Sequence, residues 1–374
     1  MALDHAPGDH PDDIAIIGWA QTPMVRHTDK TETQLLLEVV TGALDDAGLT
    51  RADVGFTCAG SCDYVAGQAF SFVQNTDAIG AWPPKRDSHV EMDGAWALYE
   101  AYVRLLLGDE VDVALAMGSG RSSTADPALI YPMEMDPFYL APLGADALSL
   151  AALQAQAVLA AGDITERQLA EIAVRCRRDA QANPYAQVSG EFDVDALLAE
   201  DAVRAPLRRH DLPPITDGAA AVVIARAEKA KAVCEHPVWI TGIAHCAELH
   251  YPGMRDLTRS LSARKAAEAA GVPDGPVDVA ELQAAFTHEE PLLVEALELH
   301  PTVSVNPSGG PLAANPIMAT GLVRIAEAAA AIRDRGASRT VGHSTSGPCL
   351  QQNLVCVLEA GPERPHGAGQ GGRA

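Results

Sequence analysis

Two neutral amides and one carboxylate are the side chains whose positions best suit carbonyl chemistry. Asn315 lies in a glycine-rich segment, Val303–Gly321, and Glu91 lies in a turn. The N–H groups of Asn315 and Gln283, if aimed at a carbonyl oxygen, would stabilise developing negative charge by about 3 kcal/mol per well-placed donor. Alternatively, the two amides satisfy buried backbone groups. Burial of Glu91 would raise its pKa toward that of a general base; alternatively, Glu91 complements a helix dipole, with Asp93 as the cap.

Three further residues are candidates for acid or base chemistry. His288 follows Gln283 by five residues and opens a predicted helix, Glu289–Leu299. His343 follows a predicted strand and is close in sequence to Cys349, in a region where loops are expected to gather. A lone histidine is more often a packed or surface residue than a catalytic one, and that alternative stays open for both histidines.

A basic cluster and a glycine pair are the candidates for contact with an anionic ligand. The arginines of the cluster lie between predicted strands and are Arg175, Arg177, Arg178, Arg208 and Arg209. Arg175 and Arg178 can attract phosphate, and a solvated helix face that offsets nearby Asp and Glu is the alternative. Gly309 and Gly310 predict a turn with positive φ or a close approach of the backbone. A phosphate-cradling loop is disfavoured, because no Gly-Lys-Ser/Thr follows.

The composition excludes several classes of function. The chain has 374 residues, of which 48% are hydrophobic and 21% charged, so it can bury a large core. Lys and Arg total 27 against 50 Asp and Glu, a formal charge of -23. Such a surface repels phosphate backbones and anionic lipid, which disfavours binding to nucleic acid or to a membrane surface. An anionic CoA ester can bind only through a local basic patch.

The cysteines and the ends of the chain bear on its compartment. The seven cysteines are scattered and odd in number, which is typical of reduced thiols in a cytoplasmic protein. Cys58 and Cys62 lack a second pair at metal-ligand spacing, so no metal site is expected. No run of about 18 apolar residues occurs and the first residues are polar, so we expect neither a membrane span nor a signal peptide.

Alternating strands and helices predict an α/β fold with an internal duplication. The segments 47–54 and 270–279 share an Ala-Gly-Leu/Val pattern followed by Asp-Val, and in each half a helix leads into a strand. Chance similarity between alanine-rich helices is the alternative. The expected divisions are a disordered N-terminus (1–12), an N-terminal half (13–230, with a loop region at about 120–210), a C-terminal half (231–360) and a disordered tail (361–374).

The segment Val303–Gly321 resembles the thiolase turn that delivers a Gly-His-Pro histidine to a helix. Supporting matches are Thr216–Ala221 and Gln351–Asn353. The chain is similar to the thiolase superfamily over about 14–359, especially to sterol-carrier-protein-type thiolases and actinobacterial lipid-transfer-protein-like relatives. The resemblance implies duplicated βαβ halves in a five-layer αβαβα arrangement.

The same resemblance implies that the usual thiolase catalysts are replaced. Glu91 stands where the nucleophilic cysteine is expected, Gln283 replaces an Asn or His, and Asn315 replaces the Gly-His-Pro histidine. The late acid/base cysteine falls near Gly347, two residues from Cys349. No cysteine occurs between 62 and 176, so covalent acyl transfer through a thiolate is not expected.

The function implied by the resemblance is retro-aldol cleavage of a β-hydroxyacyl-CoA from a steroid or lipid side chain. The CoA thioester is the substrate, no bound cofactor is needed, and the arginine region corresponds to where thiolases bind CoA. The implied partners are a second copy of the chain, an OB-fold/zinc-ribbon protein or a thiolase paralogue. The alternative is a non-catalytic subunit that binds acyl-CoA or lipid beside an active paralogue, and a weaker one is Claisen or decarboxylating chemistry with a substitute base.

Overall fold

The computed structural model describes residues 5–82, 84–108 and 110–361. The expected disordered tail therefore lies outside the described residues except for Gly361. The expectation of disorder at 1–12 is wrong for residues 5–12. Their backbone folds onto Asp13, whose carboxylate accepts hydrogen bonds from the N–H groups of Gly8 and His10, at 2.7 and 3.1 Å.

Strands and helices alternate along most of the chain. The strands are β1 (Ile14–Gln21), β2 (Phe56–Gly60), β3 (Arg86–Val90), β4 (Val113–Arg121), β5 (Ala202–Arg204), β6 (Leu207–Arg208), β7 (Asp217–Arg226), β8 (Val238–Ala247), β9 (Val279–Glu281), β10 (Ser304–Val305), β11 (Arg339–Ser346) and β12 (Gln352–Ala360). The helices are α1 (Glu32–Asp46), α2 (Asp63–Ala66), α3 (Val73–Ile79), α4 (Gly94–Leu106), α5 (Pro127–Glu134), α6 (Ala147–Ala161), α7 (Glu166–Asp179), α8 (Val194–Leu198), α9 (Ala227–Val233), α10 (Leu261–Ala270), α11 (Glu289–Ala296) and α12 (Thr320–Arg333).

The sheet confirms the internal duplication. Its N-terminal half has the strand order β3-β2-β4-β7-β1, and its C-terminal half has the order β10-β9-β11-β12-β8. In each half the first three strands are parallel and the last two are antiparallel to their neighbours. Antiparallel pairing of β1 with β8 joins the halves at Ala15 and Ile16. Chance similarity between alanine-rich helices does not reproduce strand order and direction, so that alternative is wrong.

The helices and sheets form the expected five layers. One core cluster joins α4 and α12 to inward residues of both halves of the sheet, including Ala114 and Leu354. A second cluster packs α1 and α9 on the other face of the N-terminal half, and a third packs α10 and α11 on the other face of the C-terminal half. The helices α4 and α12 thus form the central layer. Twelve of the fourteen residues of α12 are buried, because it has sheet or helix on every side.

The two central helices begin at the same place, and one carboxylate caps both. Asp93 is the N-cap of α4 and accepts from the Ala95 N–H at 2.8 Å. It also accepts from the N–H groups of Gly321 and Leu322 at the start of α12, at 3.0 and 3.1 Å. The predicted capping role of Asp93 is confirmed, and it extends to a helix of the other half. Burial raises the pKa of Asp93, and the three N–H bonds oppose that rise.

The long connection between β4 and β7 covers one end of the sheet. It carries α5 to α8 and the short β5–β6 hairpin. Gln154 of α6 bonds to His288, and the Val188 N–H donates to the Ala313 carbonyl at 3.0 Å. This loop region therefore lies against the segments that carry Gln283 and Asn315.

Replacing Asp93 with alanine should destabilise the fold by about 3 kcal/mol, because three buried N–H groups at two helix starts lose their acceptor. The matched control is Asp146→Ala, which removes one N-cap bond, to Ser149 at the start of α6, and a surface ion pair with Arg204, and should cost about 1 kcal/mol. Chemical denaturation measures both free energies of unfolding. Equal losses would show that Asp93 does not join the halves.

Candidate functional site

The orientation of the Gln283 amide is set by the end of β11. Its Oε1 accepts from the Thr345 backbone N–H at 3.1 Å and from the Ser344 hydroxyl at 2.8 Å. A backbone N–H can only donate, so the atom that faces Thr345 is the amide oxygen. The NH₂ group of Gln283 consequently points the other way, and no described residue accepts from it. The side chain is half-buried, and it presents a donor to the space beside it.

The side chain and backbone of Asn315 are also held by hydrogen bonds. Its backbone N–H donates to the Thr216 hydroxyl at 3.0 Å, and its Oδ1 accepts from the Thr320 hydroxyl at 2.9 Å. The Thr320 hydroxyl also lies 2.9 Å from the Pro316 carbonyl, so its single proton is shared between two acceptors. Asn315 is therefore held less firmly than Gln283. Its NH₂ group also has no acceptor in the described part of the chain.

The start of α12 brings these two amides together. Thr320 bonds to Asn315, and the next residue, Gly321, lies against Ser344, which bonds to Gln283. A Cβ atom on Gly321 would lie 1.9 Å from the Ser344 Oγ and 2.7 Å from the Asp93 Oδ1. Only glycine allows this approach. The site is thus formed where the N-terminal half, the start of α12 and the end of β11 meet.

The start of α4 carries no thiol, and its buried carboxylate, Asp93, is engaged by three N–H groups. Glu91 is exposed and accepts from the Asp63 backbone N–H, so the expectation that this carboxylate is buried is wrong. The strand β3 ends just before Glu91 at the edge of the sheet, which leaves the residue in solvent. Gly94 is the first helical residue, and its backbone packs against Leu322 and Gly118. Nothing at this helix start can form an acyl-enzyme.

Both histidine candidates are fully buried and neutral. His343 Nδ1 accepts from the Gln283 N–H at 3.3 Å, and Nε2 faces the Asn353 Oδ1 at 2.9 Å. Burial lowers the pKa of His343 to about 4 and that of His288 to about 3. His288 bonds to Gln154 at 3.3 Å. The packed alternative describes both residues, and His343 positions the backbone of Gln283.

Cys349 is also unsuited to proton transfer. Its Sγ points to the Leu150 carbonyl at 3.4 Å within an apolar cluster that includes Met135. Burial raises the pKa of the thiol to about 12. A thiol with this pKa stays protonated at neutral pH, which argues against the predicted role of Cys349 as an acid/base.

The residues predicted to bind an anion mostly contact groups of the protein. Arg175 forms an ion pair with Glu290 and donates to the Val305 carbonyl, so its predicted role in phosphate binding is wrong. Arg178 is exposed and bonds to Asp179 at 2.9 Å. Arg178 therefore remains accessible to an anion at the surface.

Gly309 and Gly310 have positive φ values of 96° and 60°, as the turn requires. A Cβ atom on Gly309 would lie 2.6 Å from the Cβ of Ala180. The close approach predicted for this glycine is thus to the chain itself, and contact of the pair with an anionic ligand stays a prediction.

The sequence reasoning missed Glu289, the first residue of α11. Its Oε2 accepts from the N–H groups of Ala285 and Phe286, at 2.7 and 3.1 Å. Burial raises the pKa of Glu289 to about 7. The only signal in the sequence is an acidic pair at a helix start, which is typical of dipole complementation and does not distinguish Glu289 from Glu290.

Other parts of the described structure offer weaker candidates for a functional site. A cleft with a volume of about 350 Å³ lies beside Trp19 and the second half of α12. None of the predicted site residues lines it. Its charged groups pair with one another, as Arg333 does with Asp46 and Arg335 with Glu327. Within the described ranges, no group of three His, Cys, Asp or Glu side chains is arranged to hold a metal ion. None of the helices described has both the length and the apolarity of a membrane span.

Comparison with known proteins bears on the fold. No protein-family model matches the chain. The chain is 27% identical over 359 residues to the acetyl-CoA acetyltransferase of Methanothermobacter thermautotrophicus, which covers 88% of this chain and 93% of that protein.

Among solved structures, the Ltp2-ChsH2(DUF35) aldolase superposes with a TM-score of 0.79 at 20% identity, covering 95% of this chain and 99% of that one. A monomeric SCP2-thiolase-like protein type 1 from Mycobacterium smegmatis gives a TM-score of 0.75 at 21% identity, covering 94% and 79%. The chain thus has the thiolase fold, and its expected resemblance to the thiolase superfamily, on the side of the sterol-carrier-protein-type thiolases and lipid-transfer-protein-like aldolases, is confirmed.

Proposed function

We propose that this chain is a carbon–carbon lyase that cleaves a β-hydroxyacyl-CoA by a retro-aldol reaction. The observation that carries the proposal is the Gln283 amide. Its oxygen is fixed by the Thr345 N–H, and its NH₂ group is left as a donor beside the junction of the two halves. The start of α4 provides no thiol, so the donor serves an intermediate that is not covalently attached to the protein.

The proposed reaction needs one base and one set of oxyanion donors. The base takes the proton of the β-hydroxyl group, that oxygen becomes a ketone carbonyl, and the Cα–Cβ bond breaks. The electron pair moves into the thioester, giving an enolate whose oxygen accepts from the amides of Gln283 and Asn315. Each well-placed donor contributes about 3 kcal/mol. Protonation at Cα then releases a shorter acyl-CoA, and no electron is gained or lost overall, so no bound cofactor is required.

The assembly proposed for this lyase includes a second copy of the chain and an OB-fold/zinc-ribbon partner. Support comes from the Ltp2-ChsH2(DUF35) aldolase, whose name joins two components, Ltp2 and ChsH2(DUF35). Large apolar side chains are also exposed in two segments that are in contact through α2 and α5. They include Phe70 and Trp82 in the first segment and Phe138 and Tyr139 in the second. Such surfaces are typical of protein–protein contacts.

A second candidate function is a non-catalytic subunit that binds acyl-CoA or lipid beside an active paralogue. The observation in its favour is the replacement of both thiolase signature residues, the cysteine by Glu91 and the histidine by Asn315. An acyl-CoA pocket without a base would have the same amide donors. The two functions differ in whether the purified chain turns over substrate.

Incubation with β-hydroxyacyl-CoA esters that carry steroid or aliphatic side chains tests the lyase. We expect a ketone and a shorter acyl-CoA, formed by the chain alone or with its OB-fold/zinc-ribbon partner. The intact mass of the chain should stay unchanged during turnover, because no acyl-enzyme forms. Mass spectrometry follows products and protein together. If neither preparation releases ketone while both bind the ester, the non-catalytic subunit is the correct assignment.

Replacing Gln283 with methionine should lower kcat by about 10²-fold with little change in KM, because a donor to the enolate oxygen is lost and the side-chain length is kept. The control is Gln181→Met on the exposed surface, which should leave kcat unchanged. Denaturation curves correct for the lost bonds to Ser344 and Thr345. A Gln283→Met enzyme with the parent kcat would show that this amide does not contact the reacting oxygen.

A further inference from the structure

The titratable groups around the two amides are nearly all committed to other partners. Asp93 accepts three N–H bonds, and His343 uses both ring nitrogens. Cys349 remains a thiol, and Glu281 is paired with the buried Arg324 at 2.6 Å. None of these groups can take up a proton from a substrate and return it without breaking a bond that holds the fold.

Glu289 differs from them in how its two oxygens are used. Oε2 accepts both N–H bonds, from Ala285 and Phe286, while no described residue donates to Oε1. No cation in the described ranges forms an ion pair with this carboxylate. The side chain is 6% exposed, so one oxygen is fixed and the other remains available in a nearly dry environment.

The neighbouring carboxylate, Glu290, does not share the unpaired arrangement of Glu289. Glu290 is equally buried, yet it pairs with Arg175 and accepts from the Asn306 amide at 3.1 Å. A paired carboxylate is stabilised in its charged form. Glu289 lacks such a partner, and burial therefore raises its pKa to about 7, where the acid and the base forms coexist at neutral pH.

The location of Glu289 is also suitable. The two N–H groups that hold it belong to the turn that begins at Gln283. On its other side is the loop between β11 and β12, where the charge of Glu289 acts on the Cys349 thiol. Glu289 thus lies between the turn that begins at Gln283 and the loop that follows β11, the strand whose end orients the Gln283 amide. The titratable neighbours of Glu289 are Cys349 and the neutral His288. Arg255 lies beyond Cys349 and donates a hydrogen bond to the Cys349 carbonyl.

We propose that Glu289 is the acid/base of the reaction, an inference that rests on the proposed lyase function. Its Oε1 takes the proton from the substrate's β-hydroxyl group as the Cα–Cβ bond breaks. The same oxygen then returns that proton to Cα of the enolate, which forms the C–H bond of the shorter acyl-CoA. The carboxylate is regenerated, so the cycle balances in atoms and charge.

Glu289→Gln tests the assignment, because glutamine keeps the shape and can still accept from Ala285 and Phe286. We expect kcat for cleavage to fall by about 10²- to 10⁴-fold with little change in KM. The parent kcat should rise with pH through about 7, because the base must be ionised, and this rise should disappear in Glu289→Gln. The matched control, Glu295→Gln, removes a charge from the exposed face of α11 and should keep the parent rate and profile.

Two further measurements separate the possible failures. Glu289→Asp keeps a carboxylate but shortens it, and we expect part of the rate and the pH dependence to return if Glu289→Gln folds poorly. Exchange of the Cα hydrogen of the acyl-CoA product in deuterated water reports the second proton transfer without cleavage. Exchange that depends on Glu289 in a chain that never cleaves would overturn the lyase and keep the assignment. Cleavage and exchange that survive in Glu289→Gln would overturn the assignment and keep the lyase.

Discussion

The architecture depends on a buried carboxylate between two helix starts. α4 and α12 come from different halves, and their N-termini carry partial positive charges that would repel each other if left unpaired. Asp93 lies between them, and its oxygens accept from Ala95, Gly321 and Leu322. Burial opposes ionisation of the side chain, whereas three N–H bonds and two helix dipoles favour it. The central layer is therefore held by an interaction that neither half contains alone.

Uncharged residues connect that junction to the candidate site. Gly321 has no side chain, which allows Ser344 to approach Asp93 closely, and Ser344 then donates to Gln283. His343 accepts from the backbone of Gln283, so one strand of the C-terminal half fixes both the main chain and the side chain of the donor. Because each acceptor in this network already has a donor, the groups left over are N–H groups. Such a surface favours a negatively charged oxygen over a cation.

The layers and the glycine turn could be predicted from the sequence, because they depend on local periodicity and on patterns that repeat between the halves. The predicted helix Glu289–Leu299 is found as Glu289–Ala296, with the same first residue. The fates of charged residues could not be predicted, because their partners are distant in the chain. Arg175 meets a carboxylate 115 residues away, and Glu91 is exposed because β3 lies at the edge of the sheet. The adjacent acids Glu289 and Glu290 are indistinguishable until Arg175 is placed beside one of them.

The replaced thiolase residues restrict which intermediates this pocket can stabilise. A thiolate at the start of α4 would use the helix dipole to hold its own charge and then carry an acyl group. In this chain the dipole is already engaged by Asp93, and the exposed Glu91 stands at the expected cysteine position. Negative charge can therefore develop only on the substrate, where the free N–H groups of Gln283 and Asn315 are available. A bond broken within the substrate, with the electrons held on its own thioester oxygen, meets that condition without any covalent contribution from the protein.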